Sequence, residues 1–278
     1  MMEEGRFRAM GSDVSWWAER DASSDLKILF EEVEECCSRF REESELSRLN
    51  RCRARSIVVT PLMAEMLRTA DSAYRLSEGR VDPTVLPAVR AAGYDEDLSS
   101  ARKKTRGPVP VPGWNSVALD GHTLERPSGV ELDLGGIAKG WTARAGLEVP
   151  GVSLVDAGGD IAIRGRWVVD VEHGGEIVAA LAIEDCGVAT SGIDHRRWTV
   201  GHHLIDPATG APTTTDVLAA TVVARDLTVA ETVARTMVLM GMWQGLGWAE
   251  GTPAVLGALV TTAEGTTISF PRTREVLA

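Results

Sequence analysis

The segment V-E-L-D-L-G-G-I-A-K-G, from Val130 to Gly140, decides how the rest of the chain is interpreted. Apolar residues alternate with Glu131 and Asp133 in its first half, which is typical of a strand. Two glycines follow, and I-A-K-G then begins a helical pattern. Glycines let a backbone approach a ligand closely, and a helix N-terminus presents free N–H groups to an anion. The segment therefore predicts a strand, a ligand-binding turn and a helix; the alternative is an ordinary turn with a salt bridge between Asp133 and Lys139.

Composition and charge describe an ordinary globular chain. It has 278 residues, of which 44% are hydrophobic and 25% charged, enough to bury an ample core. The net charge of −11 argues against nucleic acid as a partner, because a surface that wraps a duplex requires clustered Lys and Arg. The four cysteines form no C-x-x-C pair, which argues against zinc and fits a reducing compartment. With no apolar leader pattern and no apolar run of about 18 residues, we expect a cytoplasmic protein without a membrane anchor.

Hydrophobic periodicity predicts helices in the first part of the chain and near its end. Thr60 followed by Pro61 is a typical helix start, and Thr228 is the predicted N-cap of the late helix. The stretch over residues 41–50 is too rich in Ser, Glu and Arg to be expected in the core. The predicted helical regions are residues 25–40, 61–77, part of 81–95 and 228–240.

Strand patterns dominate after residue 151. They mix with helices without strict β-α-β alternation, which favours an α+β layered fold over a doubly wound one. Besides 130–134, the predicted strands are residues 7–19 with an interruption at Gly11, then 152–155, 167–172, 178–184, 188–190, 203–205, 217–224, 254–261 and 266–270.

Several strands end in small polar residues that suit a phosphate-bearing ligand and its metal. The turns L-V-D-A-G-G-D, A-T-S-G-I-D and H-L-I-D-P-A-T-G-A-P all offer backbone donors, hydroxyls or carboxylates. Each alone is equally compatible with an ordinary turn. Their number makes a ligand site the better interpretation.

In their order along the chain, these motifs resemble the ApbE-type flavin transferases. The resemblance covers roughly Met10 to Gly241 and rests on M-G-S-D, S-E-L-S-R-L-N, D-P-T-V-L-P, D-L-G-G-I-A-K-G, D-A-G-G-D-I, A-T-S-G and H-L-I-D-P-A-T-G-A-P. It implies one α+β domain over residues 1–278, with a mixed or antiparallel sheet, flanking helices and a T-fold-related architecture. It also implies that FAD binds with Mg²⁺ on its pyrophosphate. A Thr or Ser hydroxyl of an acceptor flavoprotein then attacks the FMN-side phosphorus, and AMP leaves.

The resemblance also assigns site residues, motif by motif. It implies that Asp133 and Lys139 contact the cofactor, that the Gly136 carbonyl binds the metal, and that His203 lies near the reacting phosphate. A lysine can neutralise phosphate charge, and an imidazole can accept the hydroxyl proton. The alternatives are a surface lysine and a histidine bonded to the backbone. The residues expected to line the flavin and adenosine pockets are Met10, Phe40, Arg80, Val81 and Asp82.

The late helix departs from the pattern of the family. Most members carry A-D-A-x-A-T, whose Asp and Thr bind magnesium, whereas this chain has A-E-T-V-A-R-T. Glu231 replaces the Asp and Arg235 replaces the Thr; a one-residue shift would recover Thr236 but would break the apolar stripe. Glutamate can still bind a hard cation. Arg235 either fills the metal position or turns toward the pyrophosphate, where a guanidinium suits phosphate oxygens.

The predicted function is therefore Mg-assisted transfer of FMN from FAD, with His203, Lys139 and Arg235 as catalytic residues. Two alternatives remain: an FAD pyrophosphatase that uses water in place of the hydroxyl, and an FAD-binding protein whose metal site has decayed.

Overall fold

A computed structural model describes residues 2–94, 106–194, 197–198, 201–270, 273 and 276–277. The chain forms two compact units. The first unit comprises Met1–Glu31, Lys139–Gly192 and Thr215–Ala278, and the second comprises Glu32–Ala138 and Ile193–Thr214. Within the described residues, no helix combines the length and apolarity needed to cross a bilayer. The single domain expected over residues 1–278 stays a prediction.

Seventeen strands and seven α-helices make up the described part of the chain. The strands are β1 (Glu3–Ala9), β2 (Ser12–Ala18), β3 (Ser56–Val58), β4 (Ala118–Asp120), β5 (Thr123–Glu125), β6 (Val152–Ala157), β7 (Asp160–Ile163), β8 (Arg166–His173), β9 (Glu176–Glu184), β10 (Gly187–Gly192), β11 (Arg197–Trp198), β12 (Gly201–His202), β13 (Ile205–Asp206), β14 (Ala211–Pro212), β15 (Val217–Ala224), β16 (Val255–Thr262) and β17 (Thr267–Ser269). The helices are α1 (Ser23–Cys37), α2 (Glu45–Arg51), α3 (Pro61–Leu76), α4 (Leu86–Ala91), α5 (Ala138–Gly146), α6 (Leu227–Met240) and α7 (Met242–Glu250).

An eight-stranded antiparallel sheet organises the first unit, in the order β1-β2-β6-β7-β10-β15-β16-β17. β1 and β2 form a hairpin whose two turn residues, Met10 and Gly11, have φ of 50° and 70°. Positive φ at both turn residues matches the twist of the flanking strands. The interruption predicted at Gly11 is thus a reversal of the chain. The predicted α+β class, with a large antiparallel sheet and helices, is confirmed.

Helix α6 packs against β10 and β15 of this sheet. Of the apolar stripe predicted for this helix, Val233 and Met237 are fully buried, whereas Val229 and Met240 are half-buried. The close approach depends on Gly187 of β10, where an added Cβ would lie 2.4 Å from Leu227 Cα. The N-cap is Asp226, whose Oδ1 accepts from the N–H of Thr228 at 2.8 Å, so the predicted cap at Thr228 is wrong by two residues.

The second unit carries α2, α3, α4 and three small sheets, β3-β5-β4, β11-β12 and β13-β14. The predicted N-cap of α3 is confirmed, because Thr60 Oγ1 accepts from the N–H of Met63 at 3.2 Å. The prediction that residues 41–50 lie outside the core is wrong. They contain most of α2, in which the side chains of Leu46, Leu49 and Asn50 are buried. The charged residues of this segment turn outward, so composition alone hid an amphipathic helix.

The prediction of a strand over residues 130–134 is wrong. Burial alternates along the segment as the pattern predicted, but it pairs with no strand in the described part of the chain. The side chain of Asn50 takes the place of a neighbouring strand, because its amide donates to the Leu132 carbonyl and accepts from the Leu132 N–H, both at 2.8 Å. The N–H of Asp133 then donates to the Pro83 carbonyl at 2.7 Å. The helix predicted after the two glycines is present as α5.

The strand predicted over residues 203–205 is also wrong. β12 ends at His202 and β13 begins at Ile205, so His203 lies between two short strands. At this break the Nδ1 of His202 accepts from the N–H of Leu204 at 3.3 Å. Helix α1 ends at Cys37, which leaves Phe40 outside the helix and 49% exposed, although the apolar stripe placed it in the buried face.

Candidate active site

Four of the sequence motifs meet in the first unit. The M-G-S-D turn and the D-A-G-G-D turn touch, because an added Cβ on Gly158 would lie 2.9 Å from Ser12 Oγ. Lys139, from I-A-K-G, reaches the same place and donates to the Ala157 carbonyl at 2.8 Å. It also forms an ion pair with Asp160 Oδ2. Lys139 therefore joins I-A-K-G to the D-A-G-G-D turn, and the M-G-S-D turn packs against the same turn at Gly158.

Asp156 adds a second carboxyl to this network. Burial raises the pKa of Asp156, while the N–H of Gly159, which donates to its Oδ1 at 2.8 Å, and the charge of Lys139 act in the opposite direction. The charge of Asp160 raises the pKa further. One lysine therefore faces two carboxyls, and a phosphate that approached Lys139 would compete with Asp160 for it.

The fourth motif enters through Gly140. An added Cβ there would lie 2.5 Å from Glu231 Oε2, so a larger residue would displace this carboxylate from its place between α5 and α6. Glu231 is 7% exposed. Arg235, one turn further along α6, is half-buried, and its Nε has no hydrogen-bond partner within the described part of the chain. Thr236 is fully buried and its hydroxyl donates to the Thr232 carbonyl at 2.8 Å, so its oxygen is used within the helix.

A divalent cation finds only part of its usual donor set in α6. Glu231 offers a carboxylate oxygen, the kind of ligand that Mg²⁺ prefers. Arg235 offers a permanent cation where the family pattern has a hydroxyl. Among the described residues, no cluster of three or more His, Cys, Asp or Glu side chains is placed to hold a metal ion. The fit to magnesium is therefore met by Glu231 and not by Arg235.

Three further motifs meet in the second unit, around Asp133. Asn50 comes from S-E-L-S-R-L-N and Pro83 from D-P-T-V-L-P, and both hold the backbone of residues 132–133 through the hydrogen bonds described above. Asp133 Oδ1 accepts from the N–H of Gly135 at 2.7 Å, which shapes the glycine turn. An added Cβ on Gly135 would lie 2.9 Å from the same oxygen, so a larger residue here would displace the Asp133 carboxylate.

Asp133 also forms a buried ion pair with Arg39, which the sequence analysis did not select. Arg39 Nε lies 3.2 Å from Asp133 Oδ2, and only 6% of the arginine side chain is exposed. The guanidinium carbon is 4.1 Å from the ring centroid of Phe40 and 4.6 Å from that of Tyr94. Tyr94 in turn stacks on Trp198 at 5.5 Å. The predicted site residues Asp133 and Phe40 are therefore connected through Arg39.

The Arg80-Val81-Asp82 segment is anchored internally. Val81 is buried, whereas Arg80 forms an ion pair with Glu78 at 3.2 Å. Asp82 is buried; its Oδ1 accepts from the N–H and hydroxyl of Thr84 at 2.7 Å, and its Oδ2 accepts from the N–H of Trp114 at 3.1 Å. The Asp82 carboxylate thus fixes the turn before α4.

The two histidines of the H-H-L-I-D-P segment differ in environment. His202 is buried, and its Nε2 lies 2.9 Å from the Thr213 carbonyl. Burial lowers its pKa, the contact with Thr213 raises it, and the charge of Arg197 lowers it. His203, the predicted catalytic histidine, is half-buried. No sequence signal separated the structural histidine from its neighbour.

Sequence reasoning missed Arg39 and Asn50. Both lie in or beside the polar stretch that was interpreted as surface, and each makes its decisive contact with a segment far along the chain. For Asn50 the separation is 82 residues. The motif S-E-L-S-R-L-N was noticed only through the family resemblance, which did not assign a role to its asparagine.

The eight-stranded antiparallel sheet and its flanking helices define an α+β protein. The chain belongs to the ApbE family, whose model matches residues 10–260. This confirms the family predicted from the motifs.

Known relatives agree along most of the chain. The chain is 27% identical over 275 residues to an FAD:protein FMN transferase of Vibrio cholerae. This alignment covers 87% of the chain and 80% of the relative. The solved structure of the flavin transferase ApbE from Vibrio cholerae has a TM-score of 0.82 and 25% identity and covers 100% of both chains. The ApbE protein of Thermotoga maritima matches with a TM-score of 0.88 and 22% identity over 99% of each chain, which supports the fold alone.

Proposed function

We propose that the chain transfers FMN from FAD to a Thr or Ser hydroxyl of an acceptor flavoprotein. In this reaction the hydroxyl oxygen forms a bond to the FMN-side phosphorus, the bond from that phosphorus to the bridging oxygen breaks, and AMP leaves. The relatives are named for this activity, and their similarity extends over most of the chain. The observation that carries the proposal is the meeting of family motifs in the first unit: Lys139 contacts the D-A-G-G-D turn, that turn packs against Ser12, and Gly140 lies against Glu231.

Each predicted site residue has a role in this proposal. Lys139 neutralises charge on the pyrophosphate once a phosphate oxygen replaces Asp160 as its partner, since phosphoryl transfer depends on positioning and charge stabilisation. His203 accepts the proton of the acceptor hydroxyl. The residues proposed to bind FAD, either directly or by holding a contacting residue in place, are Met10, Phe40, Arg80, Val81, Asp82, Asp133, Lys139 and His203.

A magnesium ion, when bound, would supply further charge neutralisation at the pyrophosphate. Glu231 is the carboxylate proposed to hold it, and the Gly136 carbonyl is a second proposed ligand. Arg235 is proposed to donate to phosphate oxygens, because a guanidinium binds oxyanions well and its Nε has no acceptor among the described residues. The cytoplasm stays the proposed location.

Arg235 also favours a second candidate, an FAD-binding protein without turnover. If the guanidinium occupied the metal position, the chain would hold the dinucleotide and leave it intact. The substitution Arg235→Thr together with Glu231→Asp restores the usual ligand pair of the family. A gain of turnover in this double variant, from an inactive parent, would establish the second candidate.

The experiment uses the purified chain, FAD, magnesium and a protein extract of its host. Covalent flavin is detected by in-gel fluorescence after denaturation, and AMP and FMN are measured by chromatography. A fluorescent band that is absent with Lys139→Met supports the transferase. Free FMN and AMP without a band would instead identify a pyrophosphatase, and FAD binding without AMP release would identify the non-catalytic protein.

A further inference from the structure

Arg39 is buried in an unusual setting for a permanent cation. One carboxylate and two aromatic rings surround its guanidinium, at the distances given above. Its Nη2 is buried and has no hydrogen-bond partner in the part of the chain that the structure describes. A buried donor left without an acceptor is unfavourable, so fold stability alone does not explain this arrangement.

Asp133 is committed to internal contacts. Oδ1 accepts from the N–H of Gly135, and Oδ2 faces Arg39 Nε. Its backbone is fixed as well, because its own N–H donates to Pro83 and its neighbour Leu132 is held by Asn50. The carboxylate is thus a fixed point against which a flexible arginine side chain can be held.

Phe40 is the exposed end of this arrangement. It follows the end of α1, and the guanidinium of Arg39 covers one face of its ring while half of its surface remains exposed. The ring also packs against buried Tyr94, at a centroid distance of 5.7 Å. An exposed phenylalanine held from beneath by a cation is suited to stack with a flat ring of a ligand, because its remaining surface is apolar and its orientation is fixed.

We propose that Asp133 acts on bound FAD through Arg39, which it holds against Phe40, so that the phenylalanine forms a fixed stacking platform for one ring system of the dinucleotide. Arg39 and Asp133 are positioning residues in this scheme, and Phe40 is the residue that touches the ligand. This inference rests on the proposed function, since it takes FAD as the ligand.

A double-mutant cycle tests the relay. The variants are Arg39→Met, which keeps an unbranched apolar side chain between the rings, Asp133→Asn, and the pair together. We measure the FAD dissociation constant by flavin fluorescence, and those of AMP and FMN by competition. The wild-type chain is measured first; if it does not bind FAD, the proposed function fails before the relay is tested.

Each single variant is expected to weaken FAD binding about tenfold, as the loss of a desolvated cation–π contact would. The double variant should be no more than about twofold weaker than the worse single one, because both act through one contact. Only one of the two fragments, AMP or FMN, should also bind more weakly, namely the one that carries the stacked ring. Arg39→Lys should recover part of the affinity, since it keeps the charge.

Two controls separate positioning from folding. Arg41→Gln removes a cation from the same segment, where Arg41 pairs with Glu34 at 3.0 Å, and should leave FAD binding unchanged. Thr60→Ala lowers the stability of the fold by removing the α3 cap, and it removes no contact of Arg39, Phe40 or Asp133. Losses that multiply in the double variant, or an equal loss of FAD binding in Thr60→Ala at matched melting temperature, would overturn the relay.

Discussion

Replacing Asn50 by Asp should release the segment that carries Asp133. Asn50 is buried and serves both backbone groups of Leu132 at 2.8 Å. In Asn50→Asp the donor to the Leu132 carbonyl becomes a carboxylate oxygen, so one hydrogen bond is lost and two oxygens face each other in a buried site. The expected cost is about 3 kcal/mol, from a buried carbonyl left unsatisfied and a charge left unpaired.

Hydrogen exchange of residues 131–135 measures this cost locally. An opening free energy lowered by about 3 kcal/mol speeds exchange roughly a hundredfold, since each 1.4 kcal/mol is a factor of ten. Burial raises the pKa of the new carboxyl, and the protonated form can again donate to the Leu132 carbonyl. The acceleration relative to wild type should therefore be small near pH 5 and grow as the pH rises toward 8.

Asn115→Asp is the matched control, because the chain has a second asparagine that is exposed. It introduces the same charge without a buried partner and should leave exchange at residues 131–135 unchanged. Equal exchange in both variants near pH 8 would refute the reasoning that Asn50 substitutes for a strand.

Three further predictions concern packing, capping and pH. Gly140→Ala should lower the free energy of unfolding by about 1–3 kcal/mol, because the added methyl group overpacks against Glu231. In the double variant, Glu231→Ala should relieve much of this loss. Urea unfolding measures the free energies of the single and double variants, and additive losses would contradict the contact between the two residues. Thr60→Ala should cost about 1 kcal/mol by loss of the α3 cap, measured by thermal unfolding, whereas an unchanged melting temperature would show that the cap contributes nothing. Because burial lowers the pKa of His202 in the folded protein, stability should fall as the pH drops through about 6.5, where the unfolded chain takes up the proton first. His202→Gln should flatten that dependence, and an unchanged slope would exclude His202 as its source.

Local sequence signals predicted the elements whose causes are local. The Thr60-Pro61 start and the longer strands of the second half, such as β8, β9 and β15, needed only capping chemistry and alternation. The shift of the α6 cap from Thr228 to Asp226 has the same origin, since both residue types cap helices and the sequence offers both within two positions.

Sequence signals failed where a segment is held by a residue that lies far away along the chain. Residues 130–134 have the alternation of a strand, but their hydrogen bonds go to Asn50 and Pro83, which no periodicity could identify. Arg39 was missed for the same reason. The carboxylate partner of Arg39 is Asp133, which lies far along the chain. Because Arg39 stands beside a charged stretch, its sequence context is that of a surface residue.

In the candidate site, too, the sequence predicted some features, whereas others depend on packing between distant segments. The family motifs identified Lys139, Asp133 and Glu231, and each is engaged in a defined network within its own unit. The motifs did not predict which partner atoms hold these three side chains in place. The Asp160 partner of Lys139 and the Gly140 space beside Glu231 emerged only from packing.

The most direct test of the account is the stoichiometry of the reaction with an acceptor protein. Intact-mass spectrometry measures FMN attached to the acceptor, and chromatography measures AMP released from FAD in the same sample. The account predicts one AMP for each FMN attached at a Thr or Ser, with both products lost in Lys139→Met. Release of AMP with no change in the mass of any protein, or FAD that is bound and never cleaved, would contradict it.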